Sequence, residues 1–293
     1  MELRSRDLAI LETVGELGTA DTEIIHRLFF PEKTVSACQQ RLRKIVGEGL
    51  LWPRRLIAID GDMRSGSLPM LYFLTNLGAD LVEREIGTRP RRVTRSDPKQ
   101  LTLRHRMDAV RARLAIDQAA EQAAIATLEW IMEQDTRGGG TARKGRSPSE
   151  SLILRNHYER GGRTVGFRPD ASCRLQLPYK ERMESLIAYI EVDRSTEGHG
   201  QFERKLPGIE AFLSDGGEGW RSHWPTVTKA TIRIFVLCKS KERLTNLSTI
   251  IKGSLAADTL RFAIYPLDPG TVLTEEVWSD CEGKMYRIIP NQK

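Results

Sequence analysis

Apolar and polar residues alternate with a helical period in the first part of the chain. The segment "RDLAILETVGELG" repeats apolar side chains every three or four positions, which predicts a helix that ends at Gly18. "TEIIHRLF" predicts a second helix. "KTVSACQQRLRKIVGEGLL" predicts a third, because its apolar residues form one stripe: Val35, Cys38, Leu42 and Ile45.

A different pattern follows the third helix. "LLWPRRLIAID" and "LPMLYFLT" read as strands around the turn "GDMRSGS", and "NLGADLVERE" reads as a closing helix. Three helices followed by a hairpin form the element order of a winged helix-turn-helix. We therefore predict a winged helix-turn-helix domain over residues 1–88.

In that motif the third helix enters the major groove of DNA, and basic residues around it hold phosphates. Gln39 and Gln40 are predicted to read base edges, because an amide can bond adenine in two places. The predicted DNA-binding residues of this domain are Ser36, Gln39, Gln40, Arg43, Lys44, Arg54, Arg55 and, at the hairpin tip, Arg64. The alternative is a winged helix that pairs with proteins.

Charge separates the chain into blocks. The formal net charge is +6. Residues 89–113 carry nine basic and two acidic side chains, and residues 137–182 carry eleven and four. Such blocks favour a polyanionic partner, although a solvated linker is the alternative. Residues 89–100, rich in Pro, Arg and Ser, are predicted to be a basic linker in which Arg91 and Arg92 follow the DNA backbone.

A second domain is predicted over residues 101–293. A long helix, "LTLRHRMDAVRARLAIDQAAEQA", precedes the strands "IATLEWIME", "RTVGFRPDASCRLQL" and "RMESLIAYIEVD". "GQFERKLPGIEAFL" is expected to form a helix that begins after a bend at Pro207. "ATIRIFVLC" reads as a buried central strand, "SKERLTNLSTIIKGSL" as a helix and "LRFAIYPL" as a last strand. This alternation predicts an α/β sandwich with a mixed sheet.

Three carboxylates stand at the ends of two of these strands. Glu191 and Asp193 are two residues apart on one strand and so share a face, and Asp170 lies on the strand before. Neighbouring strands are about 4.8 Å apart, so the three are predicted to converge. Oxygen ligands of this kind suit Mg²⁺ or Mn²⁺. The alternative is an ion-pair network with Arg168, Arg174 and Arg194.

This region resembles the PD-(D/E)XK nuclease superfamily, whose pattern is Pro-Asp, a spacer and then Glu-x-Lys on the next strand. Pro169-Asp170 matches the first half and Glu191 the second acid. The resemblance implies a restriction-endonuclease-like fold and the catalytic residues Asp170, Glu191, Asp193 and Lys205. Asp193 occupies the position of the family's lysine, and Lys205 on the following helix is the expected substitute.

A narrower resemblance covers nearly the whole chain. The winged helix, "RHRMDAVRARL", "FRPDA" and "EVDRSTEG" with "FERKL" together resemble the replication-relaxation family of plasmids, phages and conjugative elements. The resemblance implies a DNA-binding protein of a mobile genetic element, acting in replication, transfer or transcriptional control.

Several other classes are disfavoured. The five histidines show no HxH or HExxH spacing, no GxxxxGK[ST] is present, and the four cysteines form no CxxC pair. No apolar run approaches the roughly 20 residues of a membrane span, and the N-terminus shows no apolar signal segment, so we expect a cytoplasmic protein.

Three hypotheses remain: a DNA-binding protein whose nuclease-like domain no longer cuts, a metal-dependent DNA endonuclease using Asp170 and Glu191, and a winged-helix adaptor between proteins. The expected cofactor is Mg or Mn if the site cuts and none otherwise. The expected partners are double-stranded DNA and a second copy of the chain, with no membrane partner.

Overall fold

Helices surround a small antiparallel sheet in the first part of the chain, and helices flank a larger mixed sheet in the second. The structure is a computed structural model. It describes residues 3–56, 68–94, 100–125, 128–137, 152–179, 182–194 and 200–290. The chain forms two units, residues 1–110 and 111–293.

The first unit has the predicted order of helices and strands. Its elements are α1 (Ser5–Leu17), β1 (Ala20–Asp21), α2 (Thr22–Phe29), α3 (Val35–Gly47), β2 (Leu51–Arg55), β3 (Met70–Leu74) and α4 (Asn76–Ile86). The strands form one antiparallel sheet in the order β1-β3-β2. The two residues of β1 were not predicted, because so short a strand has no periodicity to detect.

Short polar side chains cap the N-termini of helices α2, α3 and α4. Asp21 accepts a hydrogen bond from the backbone N of Ile24 at 2.9 Å, and Thr34 accepts one from the N of Ala37 at 3.2 Å. The predicted stripe of α3 is buried at three of its four positions, Cys38, Leu42 and Ile45. Val35 is 49% exposed, because it is the first residue of the helix and lies beyond the core.

The long helix α5 (Gln100–Gln122) is confirmed, and it begins in the first unit and ends in the second. Across the described residues, no helix combines the length and the apolarity that crossing a bilayer requires.

The second unit is built on a seven-stranded sheet. Its elements are β4 (Leu128–Met132), β5 (Asn156–Arg160), β6 (Arg163–Phe167), β7 (Ala171–Tyr179), β8 (Arg182–Asp193), α6 (Gly200–Ser214), α7 (Glu218–His223), β9 (Thr231–Cys238), α8 (Lys241–Ile251), β10 (Leu260–Ile264), β11 (Trp278–Ser279) and β12 (Met285–Tyr286). The strand order is β12-β11-β10-β9-β8-β7-β4, with β8, β9 and β10 parallel and the other neighbours antiparallel. The predicted α/β fold with a mixed sheet and a central strand β9 is confirmed.

One predicted strand is in fact two. The segment "RTVGFRPDASCRLQL" divides at Pro169, and β6 pairs with β5 in a separate hairpin while β7 joins the large sheet. Proline cannot donate to a strand ladder, which explains why pairing changes there. The short elements β5, α7, β11 and β12 were not predicted, since each has six residues or fewer.

Helix α6 continues through Pro207, where a bend and a later start were expected. Its packing explains the continuity. A Cβ atom on Gly208 would lie only 1.9 Å from the carbonyl oxygen of Gly166, so α6 lies directly against β6 at this glycine. The burial of Phe202, Ile209 and Phe212 in the core holds the helix in place.

The core of the second unit lies between one face of the sheet and helices α6 and α8. Strand β8 contributes Ile187 and Tyr189 to this face, and β9 contributes Ile234 and Val236. Because side chains alternate along a strand, the next two positions of β8 on the same face are Glu191 and Asp193. The sheet therefore carries its carboxylates at the end of an apolar row.

Candidate functional site

The antiparallel pairing of β7 and β8 brings Asp170 next to Glu191. Ala171 pairs with Ile190, and the backbone N of Asp170 donates to the oxygen of Ile190 at 2.9 Å. Asp170 thus stands just before β7 begins, beside the end of β8. One of its carboxylate oxygens accepts from the backbone N of Val192 at 2.8 Å. The predicted neighbourhood of these two acids is present.

Lys205 completes the cluster from α6. Its Nζ lies 2.8 Å from Oε2 of Glu191. The Glu191 side chain is 4% exposed, whereas that of Lys205 is 38% exposed, so the ammonium group connects a buried carboxylate with solvent. The lysine predicted to substitute for the family position therefore does contact Glu191. We call Asp170, Glu191 and Lys205 the acidic cluster.

Asp170 is the carboxyl of the acidic cluster whose ionisation is most affected by its surroundings. Burial and the neighbouring charge of Glu191 raise the pKa of Asp170 well above its usual range, against the opposing effects of Lys205 and the Val192 amide. Glu133 acts on Asp170 in the same direction as Glu191. A cation that joined the two carboxylates would relieve this repulsion.

Asp193 does not join the cluster, although it shares a face with Glu191. Arg243 of α8 donates to it from Nη2 at 2.8 Å and from Nε at 3.2 Å. Both side chains are nearly buried, at 8% exposed for Arg243 and 10% for Asp193. The expected convergence of three carboxylates is therefore reduced to two.

In the described part of the chain, no three His, Cys, Asp or Glu side chains are grouped so as to hold a metal ion. Two carboxylates still fit Mg²⁺, which is commonly bound through one or two carboxylates together with substrate phosphates and water. Asp170 and Glu191 are the residues that would hold it.

Two of the three arginines considered as partners of the carboxylates, Arg168 and Arg174, bind other acids. Arg168 lies 2.6 Å from Oε1 of Glu133, and Arg174 lies 2.9 Å from Oε1 of Glu129. Both pairs connect the start of β7 and its preceding turn with β4. The cations at the carboxylates come instead from α6 and α8, 14 and 50 residues away along the chain.

The first unit presents the predicted reading surface. Ser36, Gln39, Gln40, Arg43 and Lys44 are all exposed on α3. The buried stripe on the opposite side of the helix fixes this orientation. Polar and basic groups thus share one solvent-facing side of the helix, as contact with a DNA groove requires.

The other predicted DNA contacts differ in exposure. Arg54 is half-buried and Arg55 is exposed on β2, and Arg91 is exposed. The side chain of Arg92 is 4% exposed and donates to the carbonyl oxygen of Glu16, so it fastens the described part of the linker to α1. This burial opposes the predicted contact of Arg92 with DNA. Arg64 lies outside the described residues.

Basic residues near α3 were missed by the sequence reasoning. A concavity of about 260 Å³ is lined by α1 and α3 and the segment before α3, with Arg4, Arg6, Lys33, Gln40, Arg41 and Lys44 around it. Arg41 is bound to Asp7, which ties α3 to α1, and Arg6 stacks over Phe30 at 4.7 Å. The sequence signal was two arginines two residues apart at the start of the first helix, Arg4 just before α1 and Arg6 in its first turn.

The sequence and the structure were compared with those of known proteins. No curated protein matches the sequence. A solved structure titled "structure of restriction endonuclease FokI" aligns with 88% of this chain and 41% of its own, at 12% identity and a TM-score of 0.28. The chain spans less than half of that protein's length, and at this score the likeness carries no weight for fold or function.

A family profile gives a stronger result. The profile described as replication-relaxation matches residues 11–224, which include the second half of α1, strands β2 and β3 of the first unit, and the acidic cluster. The match covers well over half of the sequence and extends across both units. The chain belongs to the replication-relaxation family.

Proposed function

We propose that the protein binds DNA in the replication or transfer of a mobile genetic element and cleaves a strand at the acidic cluster in a metal-dependent reaction. The observation that carries the cleavage is the 2.8 Å contact between Lys205 and Glu191, beside Asp170. This contact brings together the two acids and the lysine of the nuclease pattern, which come from the start of β7, from β8 and from α6. Membership of the replication-relaxation family supports the biological setting.

Each member of the acidic cluster has a role in this proposal. Asp170 and Glu191 would hold Mg²⁺ or Mn²⁺, which supplies an activated water and neutralises charge on the phosphoryl group. Lys205 binds Glu191 and, being partly exposed, can also donate to a phosphate oxygen or to the attacking water. Its position on a helix, and not on β8, leaves its amine reachable from solvent.

In this proposal the first unit binds the DNA duplex. Its helices and three-stranded sheet follow the order of a winged helix-turn-helix. The exposed side of α3 would enter the major groove through Gln39 and Gln40. Arg43, Lys44, Arg54 and Arg55 would hold phosphates, and the concavity beside Arg4 and Arg6 adds cationic surface near them.

A non-cutting scaffold is the second candidate function, and a specific observation favours it. Asp193 replaces the lysine of the nuclease pattern and is bound to Arg243, while Glu191 is already neutralised by Lys205. With Glu191 and Asp193 both paired to basic side chains, the domain could hold a DNA backbone without cleaving it. The two functions differ in whether a divalent ion binds and in whether a strand breaks.

Cleavage is tested on supercoiled plasmid DNA with Mg²⁺ or Mn²⁺. We expect nicking by the wild type that EDTA stops, and a loss of about 100-fold or more in Asp170→Asn, Glu191→Gln and Lys205→Met. Lys252→Met, at an exposed lysine just after α8, is the matched control and should cut normally. No cleavage by the wild type, together with no effect of Mn²⁺ on its melting temperature, would leave the scaffold function.

DNA binding is tested separately by the salt dependence of duplex affinity. Replacing Arg43, Lys44, Arg54 and Arg55 with Ala should weaken binding and lower the slope of log K against log salt by about 0.9 for each lost phosphate contact. Arg84→Ala, at an exposed arginine of α4, serves as the control. An unchanged slope in the quadruple variant excludes this surface.

If no duplex binds even at low salt, the first unit acts as an adaptor between proteins. The expected second copy of the chain would then be its first candidate partner, which light scattering can measure. A cytoplasmic location completes the proposal, because plasmid and phage DNA replicate there.

A further inference from the structure

A cavity lies on the opposite face of the large sheet from the acidic cluster. Arg233 pairs with Ala188 across β8 and β9, so its side chain leaves the sheet on the side away from Tyr189 and Glu191. The cavity has a volume of about 220 Å³. The C-terminal segment closes it with Trp278, Tyr286 and Ile288.

Two guanidinium groups line this cavity without a carboxylate bound to them. Nη1 of Arg233 donates to the carbonyl oxygen of Ile232 at 2.9 Å, and Nη1 of Arg261 donates to those of Leu260 and Asp258 at 2.6 and 3.1 Å. Arg261 also lies over the ring of Tyr286 at 4.3 Å. Within the described residues, neither arginine forms an ion pair.

The acids around the cavity are engaged with other groups. Glu184 lines the cavity but lies 2.5 Å from Arg182. Asp280 is not part of the wall; it accepts a hydrogen bond from the hydroxyl of Tyr286 at 2.8 Å, and its charge also acts on Arg261. The charge of Asp258 raises the pKa of Arg233, but less than burial and Arg261 lower it. The third arginine of the wall, Arg287, is 3.3 Å from Glu276. Arg233 and Arg261 thus remain as two neighbouring positive charges.

Such an arrangement is unfavourable unless something neutralises it. Burial, and then the charge of Arg261, lower the pKa of Arg233, a group that ordinarily keeps its proton under all conditions. Arg261 is 8% exposed. By contrast, the buried Arg243 on the other side of the sheet has a carboxylate partner. Two desolvated guanidiniums facing a cavity are a site for an anion of charge −2.

We propose that this cavity binds a phosphate monoester with an apolar body. The phosphate would lie between Arg233 and Arg261, whose planar donor groups match its oxygens and whose two charges match the dianion. A carboxylate would neutralise only one of them. The body would contact Leu186, Phe235 and Trp278, since most of the remaining wall is apolar. This site is independent of the acidic cluster and of cleavage.

Phenyl phosphate is the probe, and the melting temperature of the full chain is the readout, because a ligand that binds the folded state stabilises it. At about 10 mM, a concentration above the dissociation constant of about 1 mM expected for a weak site, phenyl phosphate should raise the melting temperature. Inorganic phosphate should raise it less, because it lacks the apolar body. Phenol, which lacks the charge, should have no effect.

Arg233→Met and Arg261→Met should each reduce the affinity for phenyl phosphate at least about tenfold. Arg163→Met, at an exposed arginine on β6, is the matched control and should bind like the wild type. Arg233→Lys is the second variant if the methionine variants fold poorly, and it should keep part of the binding because it keeps the charge.

Three results would overturn the proposal: no shift with phenyl phosphate in the wild type, equal shifts in the wild type and both methionine variants, or equal shifts with phenyl phosphate and inorganic phosphate. Asp170→Asn, which alters the other face of the sheet, should bind phenyl phosphate normally, so failure of cleavage and failure of this site are separate outcomes.

Discussion

Glu191 and Asp193 are two residues apart on one strand and face the same side of the sheet, yet their partners differ in kind. Asp193 is held by two nitrogen atoms of Arg243, and both side chains are nearly buried. Glu191 is held by one ammonium group, that of Lys205, which is 38% exposed. The first pair is fixed on both sides, whereas the second has a partner that can turn toward water or a ligand.

Tyr189, two residues before Glu191 on β8, lies on the same face and deeper in the core. The hydroxyl of Tyr189 lies 2.9 Å from Nδ1 of His223, whose Nε2 lies 3.2 Å from Oδ1 of Asn156. This network is neutral and lies within the core. One row on β8 thus passes from a buried neutral network through a half-open ion pair to a closed ion pair, and only the middle position has a second carboxylate, Asp170, beside it.

The difference separates a carboxylate that is fixed within the fold from one that, in the proposed function, is available to a ligand. A buried ion pair with several hydrogen bonds is destabilising to break, because the remaining charge is stranded. A carboxylate whose partner reaches solvent can exchange that partner with little loss. Asp193 belongs to the first kind and Glu191 to the second.

The prediction with the largest expected effect compares the amide substitutions of the two carboxylates. Asp193→Asn should lower the free energy of unfolding by about 3–5 kcal/mol, because Arg243 keeps its charge inside the protein without a counterion. Glu191→Gln should cost about 1 kcal/mol or less, since Lys205 can extend into water. Denaturant unfolding of both variants measures the two values.

Glu129→Gln is the control, because it removes one partner of a pair in which Glu129 is 49% exposed, and it should change stability by less than about 1 kcal/mol. The double variant Asp193→Asn, Arg243→Met should recover much of the loss. Equal costs for Asp193→Asn and Glu191→Gln would remove the distinction between the two carboxylates.

Strands β7 and β8 and the pairing of Asp170 with Glu191 could be predicted because they depend on local pattern. Alternation along β8 places Glu191 and Asp193 on one face, and the preceding strand carries Asp170. The lysine could be proposed from a family pattern because it lies 14 residues after Glu191. Each of these inferences involves neighbouring elements.

The partner of Asp193 could not be predicted, because Arg243 is 50 residues away and on a helix whose placement depends on the whole sheet. Sequence proximity suggested Arg168, Arg174 and Arg194, of which Arg168 and Arg174 bind β4 and the turn after it. Arg92 was misjudged for a related reason. Its charge favoured solvent, but its backbone N donates to the oxygen of Gly15 at 3.1 Å and carries the side chain into the unit.

The second prediction concerns His223, the partner of Tyr189, and the dependence of stability on pH. Burial lowers the pKa of His223 to about 3, against 6.5 for the unperturbed group. The unfolded chain takes up a proton below pH 6.5 and the folded protein only near 3, so stability falls as the pH drops through this window. Between about pH 7 and pH 4, His223 alone should account for a loss of about 3 kcal/mol.

His223→Gln should flatten that part of the stability profile, because a neutral amide can bond Tyr189 and Asn156 without titrating. His157→Gln, at an exposed histidine on β5, should leave the profile unchanged. Equal pH profiles for the wild type and His223→Gln would show that His223 takes up its proton in the folded state as readily as in the unfolded chain.

The smallest expected effect concerns Asp170 and has the opposite sign. Because the folded protein raises the pKa of Asp170, this carboxyl favours the fold while protonated and loses that contribution as the pH rises through its folded value. At about pH 7.5 and without divalent ions, Asp170→Asn should therefore raise the free energy of unfolding by about 1 kcal/mol. The amide oxygen can still accept from the Val192 amide.

The gain should shrink as the pH falls toward the ordinary value of 3.8 and vanish below it, where the wild-type carboxyl is protonated in both states. Mn²⁺ should reverse the order at neutral pH, because it stabilises the wild type by binding Asp170 and Glu191 and does not bind the variant. A carboxylate that weakens the free fold and gains stability only with a cation is one retained for its ligand. If Asp170→Asn is less stable than the wild type at every pH and Mn²⁺ changes neither protein, Asp170 belongs with Asp193 as a structural acid.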